Sequence, residues 1–313
     1  MAHLSVIIVS WNVRDLLDQA LHAIYTEGTR RPELEVIVVD SASSDGTPQL
    51  VAASYPQARL IASTENLGFA RGNNRGIEEA TGDYLLLLNA DTLVQGDALA
   101  SLVDYLEEHP EIGMVGPRLL NADGTTQSSR RRYPSLPVLF LESTWLQRSA
   151  PKRLLDRFFV ADRPDSESQT VDWITGAAMM VRREVVDEIG GLDEGFFMYS
   201  EELDWCHRVG DAGWEIAYTP TAEIVHYGGK SSEQVAPARH IYFQSSKVRY
   251  THKYHGQLAA EGLRTWLLAQ YVWQIGLEGA KWLVGHRRDL RRERIAAYRR
   301  VVRSGLRQST PLS

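Results

Sequence analysis

Short apolar runs alternate with stretches of helical spacing along the first half of the chain. Residues 4–9 form a β-branched run, which predicts a strand buried on both faces. Residues 16–25 carry helical spacing, and 35–40 form a second apolar run that ends on a carboxylate. The turn-forming stretch 43–48 predicts a helix start. Further strands are expected at 58–62, 84–88 and 112–115, with helices at 69–79 and 99–108. Strands separated by helices imply βαβ units and a mostly parallel sheet.

The pattern then loosens. Residues 121–168 hold prolines, aromatics and Arg130-Arg131-Arg132 without clean period, and predict long loops with short helices. A strand region is expected at 173–181, a short helix at 183–188, a helix at 201–209, and short strands at 215–218 and 222–226. From about Pro237 the chain reads as helical. The expected architecture is an α/β sheet domain over 1–236, with a donor half to about 118 and an acceptor half after it, plus a helical extension over 237–313.

Composition narrows the class. The chain has 313 residues, a net charge of −6 and one cysteine. Cys206 cannot build a disulfide framework, which fits a reducing, cytoplasmic compartment. The N-terminus shows no basic stretch before its first apolar run, so no signal peptide is expected, and no run is long enough to span a bilayer. The acidic balance gives no expectation of nucleic-acid binding. The C-terminus departs from it, with Arg287, Arg288, Arg291, Arg292, Arg294, Arg299, Arg300, Arg303 and Arg307 close together. That cluster fits either packed helices or a dimer arm with a solvated arginine face, or a peripheral contact with the inner face of a membrane.

In a parallel α/β sheet, ligands sit beyond the carboxyl ends of the strands. Here those ends carry Ser10, Trp11 and Asn12, then Asp40, Asn66, and Asn89-Ala90-Asp91. Each one alone reads most simply as a turn former; together they read as a nucleotide pocket. Asp91 leaves a strand expected to be fully buried, where a carboxylate can hold Mg²⁺ or Mn²⁺ and leave positions open for diphosphate oxygens. The ordinary alternative is a cap or turn. His226 follows a short strand and precedes a Gly-Gly pair. It is either structural or, beside a metal–diphosphate site, a second metal ligand. Glu201, Glu202 and Asp204 crowd the start of one helix. Acids are favoured in any first turn, and Ser200 reads as a cap. Neighbours on a helix point about 100° apart, so one of Glu201 and Glu202 can act as a base while the other braces. The glycine orders of dinucleotide-binding, P-loop and serine-hydrolase sites are absent.

The blocks SVIIVSWN (5–12), VVDSASSDGT (38–47), ENLGFARGNNRG (65–76), LLLLNAD (85–91), WITGA (173–177) and FFMYSEELDWCHR (196–208) together resemble glycosyltransferase family 2, with the GT-A fold, and its rhamnosyltransferase-like members. The resemblance spans roughly residues 4–250. It implies a Rossmann-like nucleotide-binding sheet with helices on both faces. The implied enzyme is an inverting glycosyltransferase that moves a sugar from a nucleoside-diphosphate donor, dTDP-rhamnose first, to a glycan or lipid-linked acceptor for cell-envelope polysaccharide. By the same resemblance Asp40 contacts the base, and Ser10 and Asn12 line base and ribose. Asn66, Arg71, Asn74, Asn89 and Gly176 are carried with them as donor-side residues, and Arg130–Arg132 as phosphate or acceptor contacts. Asp91 matches the last acid of the family's D-x-D metal motif; the first is Asn89 here, which leaves Asp91 and His226 for the Mg²⁺ or Mn²⁺. Glu202 matches the catalytic base, with Glu201, Asp204 and Trp173 in support. The rival classes are a sugar nucleotidyltransferase and a non-catalytic nucleotide-sugar-binding subunit of an assembly complex. The first wants a basic glycine-rich loop where Trp11-Asn12-Val13-Arg14 stands.

Overall fold

The computed structural model describes residues 3–30, 32–228, 236–285 and 287–307. The chain divides into two compact units. The first comprises Met1–Tyr133, Asp156–Gly195 and Glu201–Ser231; the second comprises Pro134–Leu155, Phe196–Ser200 and Ser232–Ser313.

The first unit is built on one mixed sheet. Its strands are β1 (His3–Ser10), β2 (Glu33–Ser41), β3 (Arg59–Ser63), β4 (Tyr84–Asn89), β5 (Thr92–Val94), β6 (Ile112–Leu120), β11 (Ala178–Arg182) and β12 (Glu215–His226), with β7 (Thr126–Gln127) beside β6 and β9 (Gln169–Val171) beside β12. Among the described residues their order is β3-β2-β1-β4-β11-β6-β12-β5. The strands β3, β2, β1 and β4 run parallel, and β11 is antiparallel to β4 and β6. The chain moves outward from β1 to β2 and β3, then returns to place β4 on the other side of β1. That reversal opens a crevice at the carboxyl ends of β1 and β4.

Alternation along each strand fills two cores. Val6 and Ile8 of β1 and Leu86 and Leu88 of β4 face one core, beneath α1 (Arg14–Thr26), α2 (Thr47–Ser54) and α4 (Ala98–Glu108). Ile7, Leu85 and Leu87 face the other, with α3 (Gly68–Glu79), α7 (Arg183–Ile189) and α8 (Glu201–Asp211). The helices therefore cover both faces, as expected for an α/β sheet.

Several expected elements differ. The two short strands at 215–218 and 222–226 are one strand, β12, with an irregular register between Thr219 and Glu223. Pro220 sits there and has no N–H for the ladder. The region 173–181 is two strands, β10 (Trp173–Ile174) and β11, because Thr175–Ala177 turns between them. The strand β5 was not expected. The loose region 121–168 holds β7 (Thr126–Gln127), β8 (Arg130–Arg131), α5 (Leu136–Leu141) and α6 (Lys152–Phe158).

The second unit is helical. Its long helix α9 (Ala236–Leu283) breaks at Gly256, whose φ of 83° is outside helical space, and α10 (Arg288–Ser304) packs back on it. Helix α5 lies against α9, with Trp266 Nε1 donating to the Phe140 carbonyl at 3.0 Å. Buried Lys247 pairs with half-buried Glu142 at 3.0 Å. The segment Phe196–Ser200 is held by the first half of α9. Arg249 lies 5.0 Å over the Phe196 ring, Phe197 packs on Tyr242 at 4.6 Å, and Ser246 Oγ donates to the Met198 carbonyl at 2.8 Å.

Candidate active site

Three groups of residues carry the candidate chemistry, two at strand ends and one at a helix start. At the ends of β1 and β2, Ser10 and Asp40 stand side by side in the parallel register. Both are almost fully buried, as is Ser41. Asp40 Oδ2 accepts from the Ser43 N–H at 3.0 Å. Its Oδ1, Ser10 Oγ and Ser41 Oγ have no hydrogen-bond partner among the described residues. Buried polar atoms are nearly always paired, so these three offer hydrogen bonds that a polar ligand can take. The loops above are fixed locally. Asn12 has a left-handed φ of 52°, its N–H donates to Ser43 Oγ at 2.9 Å, and its Oδ1 accepts from the Ser44 N–H at 2.8 Å. Asn12 therefore shapes the rim.

The second group forms where β4 gives way to β5. The antiparallel pairing of β5 with β12 sets His226 opposite Thr92, and so beside Asp91. The Tyr227 N–H donates to the Asp91 carbonyl at 3.0 Å. Asp91 Oδ1 and His226 Nε2 face each other at 3.4 Å, and Asn89 Nδ2 is also 3.4 Å from Nε2. Gln127, which no sequence pattern singled out, fixes the ring. Its Nε2 donates to Asn121 Oδ1 at 3.0 Å, which leaves Oε1 to accept from His226 Nδ1 at 2.6 Å. In the neutral ring that proton on Nδ1 turns the Nε2 lone pair toward Asp91 and Asn89. A ring nitrogen and a carboxylate oxygen facing one another suit a shared divalent cation, and the Nδ1–H···O brace is the usual support of a metal-bound histidine. Among the described residues no three His, Cys, Asp or Glu side chains converge as a full metal cage. The donor set thus fits an ion completed by phosphate oxygens and water.

The third group is at the start of α8. Tyr199 and Ser200 both take left-handed φ values, 72° and 64°. Ser200 is therefore not the extended cap expected of it; the pair forms a sharp corner into the helix. Glu201 is buried, and its Oε2 has no partner among the described residues. Burial first, then the charge of Glu202, pushes its carboxyl well above the usual range. Glu202 is half-buried. A Cβ on Gly176 would lie 3.4 Å from Glu202 Cβ and from Phe69 Cζ. The Asn89 N–H donates to the Ala177 carbonyl at 2.9 Å. The turn at Gly176–Ala177 thus links the Asn89–Asp91 strand end to Glu202.

Other expected residues lie elsewhere or have other partners. Asn66 Oδ1 accepts from the Gly68 N–H and starts α3, while exposed Arg71 pairs with Glu65. Asn74 bridges to the 192–194 loop through Leu192 and Glu194. Asp204 is buried on the side of α8 away from Glu202 and pairs with Arg208 at 3.1 Å, which in turn donates to the carbonyls of Ile189 and Gly191. Trp173 Nε1 donates to the Arg132 carbonyl. Arg130 holds the Pro164 carbonyl, Arg131 lies over Phe159 and Arg132 pairs with Asp172. The stretch Gly229-Lys230-Ser231 lies outside the described residues.

The sheet order, with helices on both faces and the candidate polar groups at the carboxyl ends of β1, β2 and β4, is that of a GT-A fold. Residues 5–190 match glycosyl transferase family 2. The chain belongs to that family and is a glycosyltransferase. It is 30% identical over 249 residues to N-acetylglucosaminyl-diphospho-decaprenol L-rhamnosyltransferase of Mycobacterium tuberculosis, covering 76% of this chain and 80% of that one. It is 26% identical over 191 residues to rhamnosyltransferase WbbL of Escherichia coli K12, covering 58% and 69%. In structure it resembles the mannosyltransferase PcManGT of Pyrobaculum calidifontis, solved with GDP-Man and Mn²⁺. The TM-score is 0.55 at 19% identity, over 97% of this chain and 86% of that one. It also resembles GalNAc-T7, solved with UDP, GalNAc and Mn²⁺, at a TM-score of 0.58 and 16% identity, over 80% and 48%. At those identities the structural likeness speaks for the fold.

Proposed function

We propose that the chain transfers rhamnose from a nucleoside diphosphate, dTDP-rhamnose first, to a hydroxyl of a lipid-linked glycan, with inversion at the anomeric carbon. The donor and acceptor classes are argued from the names of the mycobacterial and Escherichia coli relatives. A nucleotide-sugar donor puts the work on the cytoplasmic side, in assembly of envelope polysaccharide. The observation that carries the site is the facing pair Asp91 and His226, with the Nδ1 proton held by Gln127.

Asp40, Ser10 and Ser41 offer the unpaired polar atoms for the base and ribose. Asp91 and His226 would hold Mg²⁺ or Mn²⁺, which would supply positive charge beside the leaving diphosphate. Glu202 accepts the proton of the acceptor hydroxyl. That oxygen bonds to the anomeric carbon as the bond from that carbon to the diphosphate oxygen breaks, and the electron pair leaves with the diphosphate. Burial raises the Glu201 carboxyl well above its usual range and so disfavours a second negative charge beside the base.

The test is release of nucleoside diphosphate from a panel of nucleotide sugars, with Mn²⁺, Mg²⁺ or EDTA. dTDP-rhamnose should turn over best, and EDTA should stop it. Asp91→Asn should lose metal-stimulated turnover while its melting curve in the absence of ligand stays at the wild-type value. Full turnover by Asp91→Asn overturns the metal assignment. Preference for a different nucleotide sugar overturns rhamnose alone.

A further inference from the structure

The second half of α9 carries an apolar line that faces solvent. At 100° per residue, Trp273, Leu277 and Ala280 fall within a narrow arc of the helix, and Val284 follows just past its end. Trp273 is 58% exposed, Leu277 42% and Val284 81%. Val272 and Leu283, also exposed, widen the line on one side. Side chains of this kind normally face a core.

The charge around the line is predominantly positive. The acid within 272–284 is Glu278, which turns inward and is buried against Arg291 at 2.7 Å. Lys281 flanks the line and is exposed. At the turn, Arg287 is exposed and Arg288 lies 5.6 Å over the Trp282 ring. Helix α10 brings seven arginines against Asp289 and Glu293. Of these, all but Arg291 are exposed.

We propose that this hairpin docks on an anionic lipid bilayer, with the line of α9 lying in the plane of the interface. Apolar and aromatic side chains would enter the headgroup boundary while lysine and arginines meet lipid phosphates. From Trp273 to Leu283 is about 15 Å of helix, and no described helix is long and apolar enough to cross a membrane. The contact is therefore along the surface. A second copy of the chain fits less well. A two-fold contact over the line would bring the Lys281, Arg287 and Arg288 groups of two copies together. One helical line is also narrow beside the roughly 800 Å² per partner of a stable interface. The inference stands apart from the choice of donor and acceptor.

The test is co-sedimentation of the full chain with phosphatidylcholine vesicles, with and without phosphatidylglycerol, across a salt series. Wild type should bind the anionic vesicles, and salt should release it. The double variant Trp273→Ser/Leu277→Ser should lower partitioning by about ten-fold or more. Its melting temperature and donor hydrolysis should not change, because both side chains are on the surface. The pair Arg292→Gln/Arg299→Gln should weaken binding and flatten its salt dependence. Undiminished binding by the serine variant overturns the proposal, as does equal binding to neutral vesicles. A wild-type dimer that the serine variant converts to monomer, seen by light scattering, assigns the face to self-association and also overturns it.

Discussion

Glu201 and Glu202 are neighbours with opposite circumstances, and their burial decides which can take a proton. Glu201 is enclosed, and its carboxyl is pushed up by burial and by Glu202. Burial that disfavours the charged form counts against Glu201 as the acceptor of a proton. Glu202 lies beside Gly176, the turn that leads to the Asn89–Asp91 strand end. Glu202→Gln should lower kcat by about 10²–10⁴ with donor affinity kept, read by steady-state kinetics and calorimetry; a fully active variant removes the base assignment. Glu201 gives a stability prediction with a definite sign. Folded Glu201 keeps its proton at pH values where the unfolded side chain, with a pKa of about 4.3, has lost it. Stability therefore falls as pH rises above that value, until the folded group also ionises. Glu201→Gln should remove this slope, so its melting temperature relative to wild type should rise as pH rises above the unfolded pKa of about 4.3. Parallel curves would contradict the burial argument. The positions Asp40, Asp91 and Glu202 were legible in the sequence because each follows or opens a strongly patterned element. The partners of Asn74 and His226 were not: Leu192 and Gln127 lie far along the chain, and no local pattern encodes them.

The parallel half of the sheet was readable because strands buried on both faces appear as unbroken apolar runs, as in Leu85–Leu88. The strand β5 was not, since three residues after a turn carry no period. Yet β5 is the element that pairs with β12 and sets His226 beside Asp91. Helix α3 shows how a motif can be legible while its reason is hidden. Its Gly72 and Gly76 face β1, where a Cβ on Gly76 would run into Ile7 Cγ2 and one on Gly72 would lie 2.8 Å from Val9 Cγ1. The glycines let α3 approach the strand that ends at Ser10. An alanine in a helix gains about 1 kcal/mol over glycine, whereas overpacking a closed core costs about 1–3 kcal/mol. Ile7 is fully buried, so the second effect should win. Gly76→Ala should therefore lower stability in urea unfolding. Gly276→Ala, where a Cβ meets nothing within 4 Å, should raise it by about 0.5–1 kcal/mol. A stabilised Gly76→Ala would show that α3 can move off β1.

At the scale of the molecule, the helical unit is not a tail added after a finished domain. It takes in Pro134–Leu155 and Phe196–Ser200 from earlier in the chain. The second of these segments leads directly into Glu201 and Glu202, and its corner at Tyr199 and Ser200 holds unfavourable left-handed backbone. Within the unit, α9 secures it through Ser246 on the Met198 carbonyl, Tyr242 on Phe197 and Arg249 over Phe196. Nothing in the hydrophobic pattern of 196–200 says that residues 242–249 will hold it, because the two stretches meet only in the folded chain. Ending the chain after Gly228 keeps every candidate site residue, from Ser10 to His226, but removes α9 and α10. Phe196, Val138 and Leu139 are almost fully buried in the intact chain, and burying each is worth about 1.5–3 kcal/mol. Together they approach a domain's whole net stability of about 5–15 kcal/mol. The truncated chain should therefore melt far below the full-length protein or fail to fold, and it should release no nucleoside diphosphate from the donor. Thermal scans with a donor-hydrolysis assay on both chains check this. A truncated chain with wild-type turnover would mean that the corner before Glu201 holds its shape without the helices.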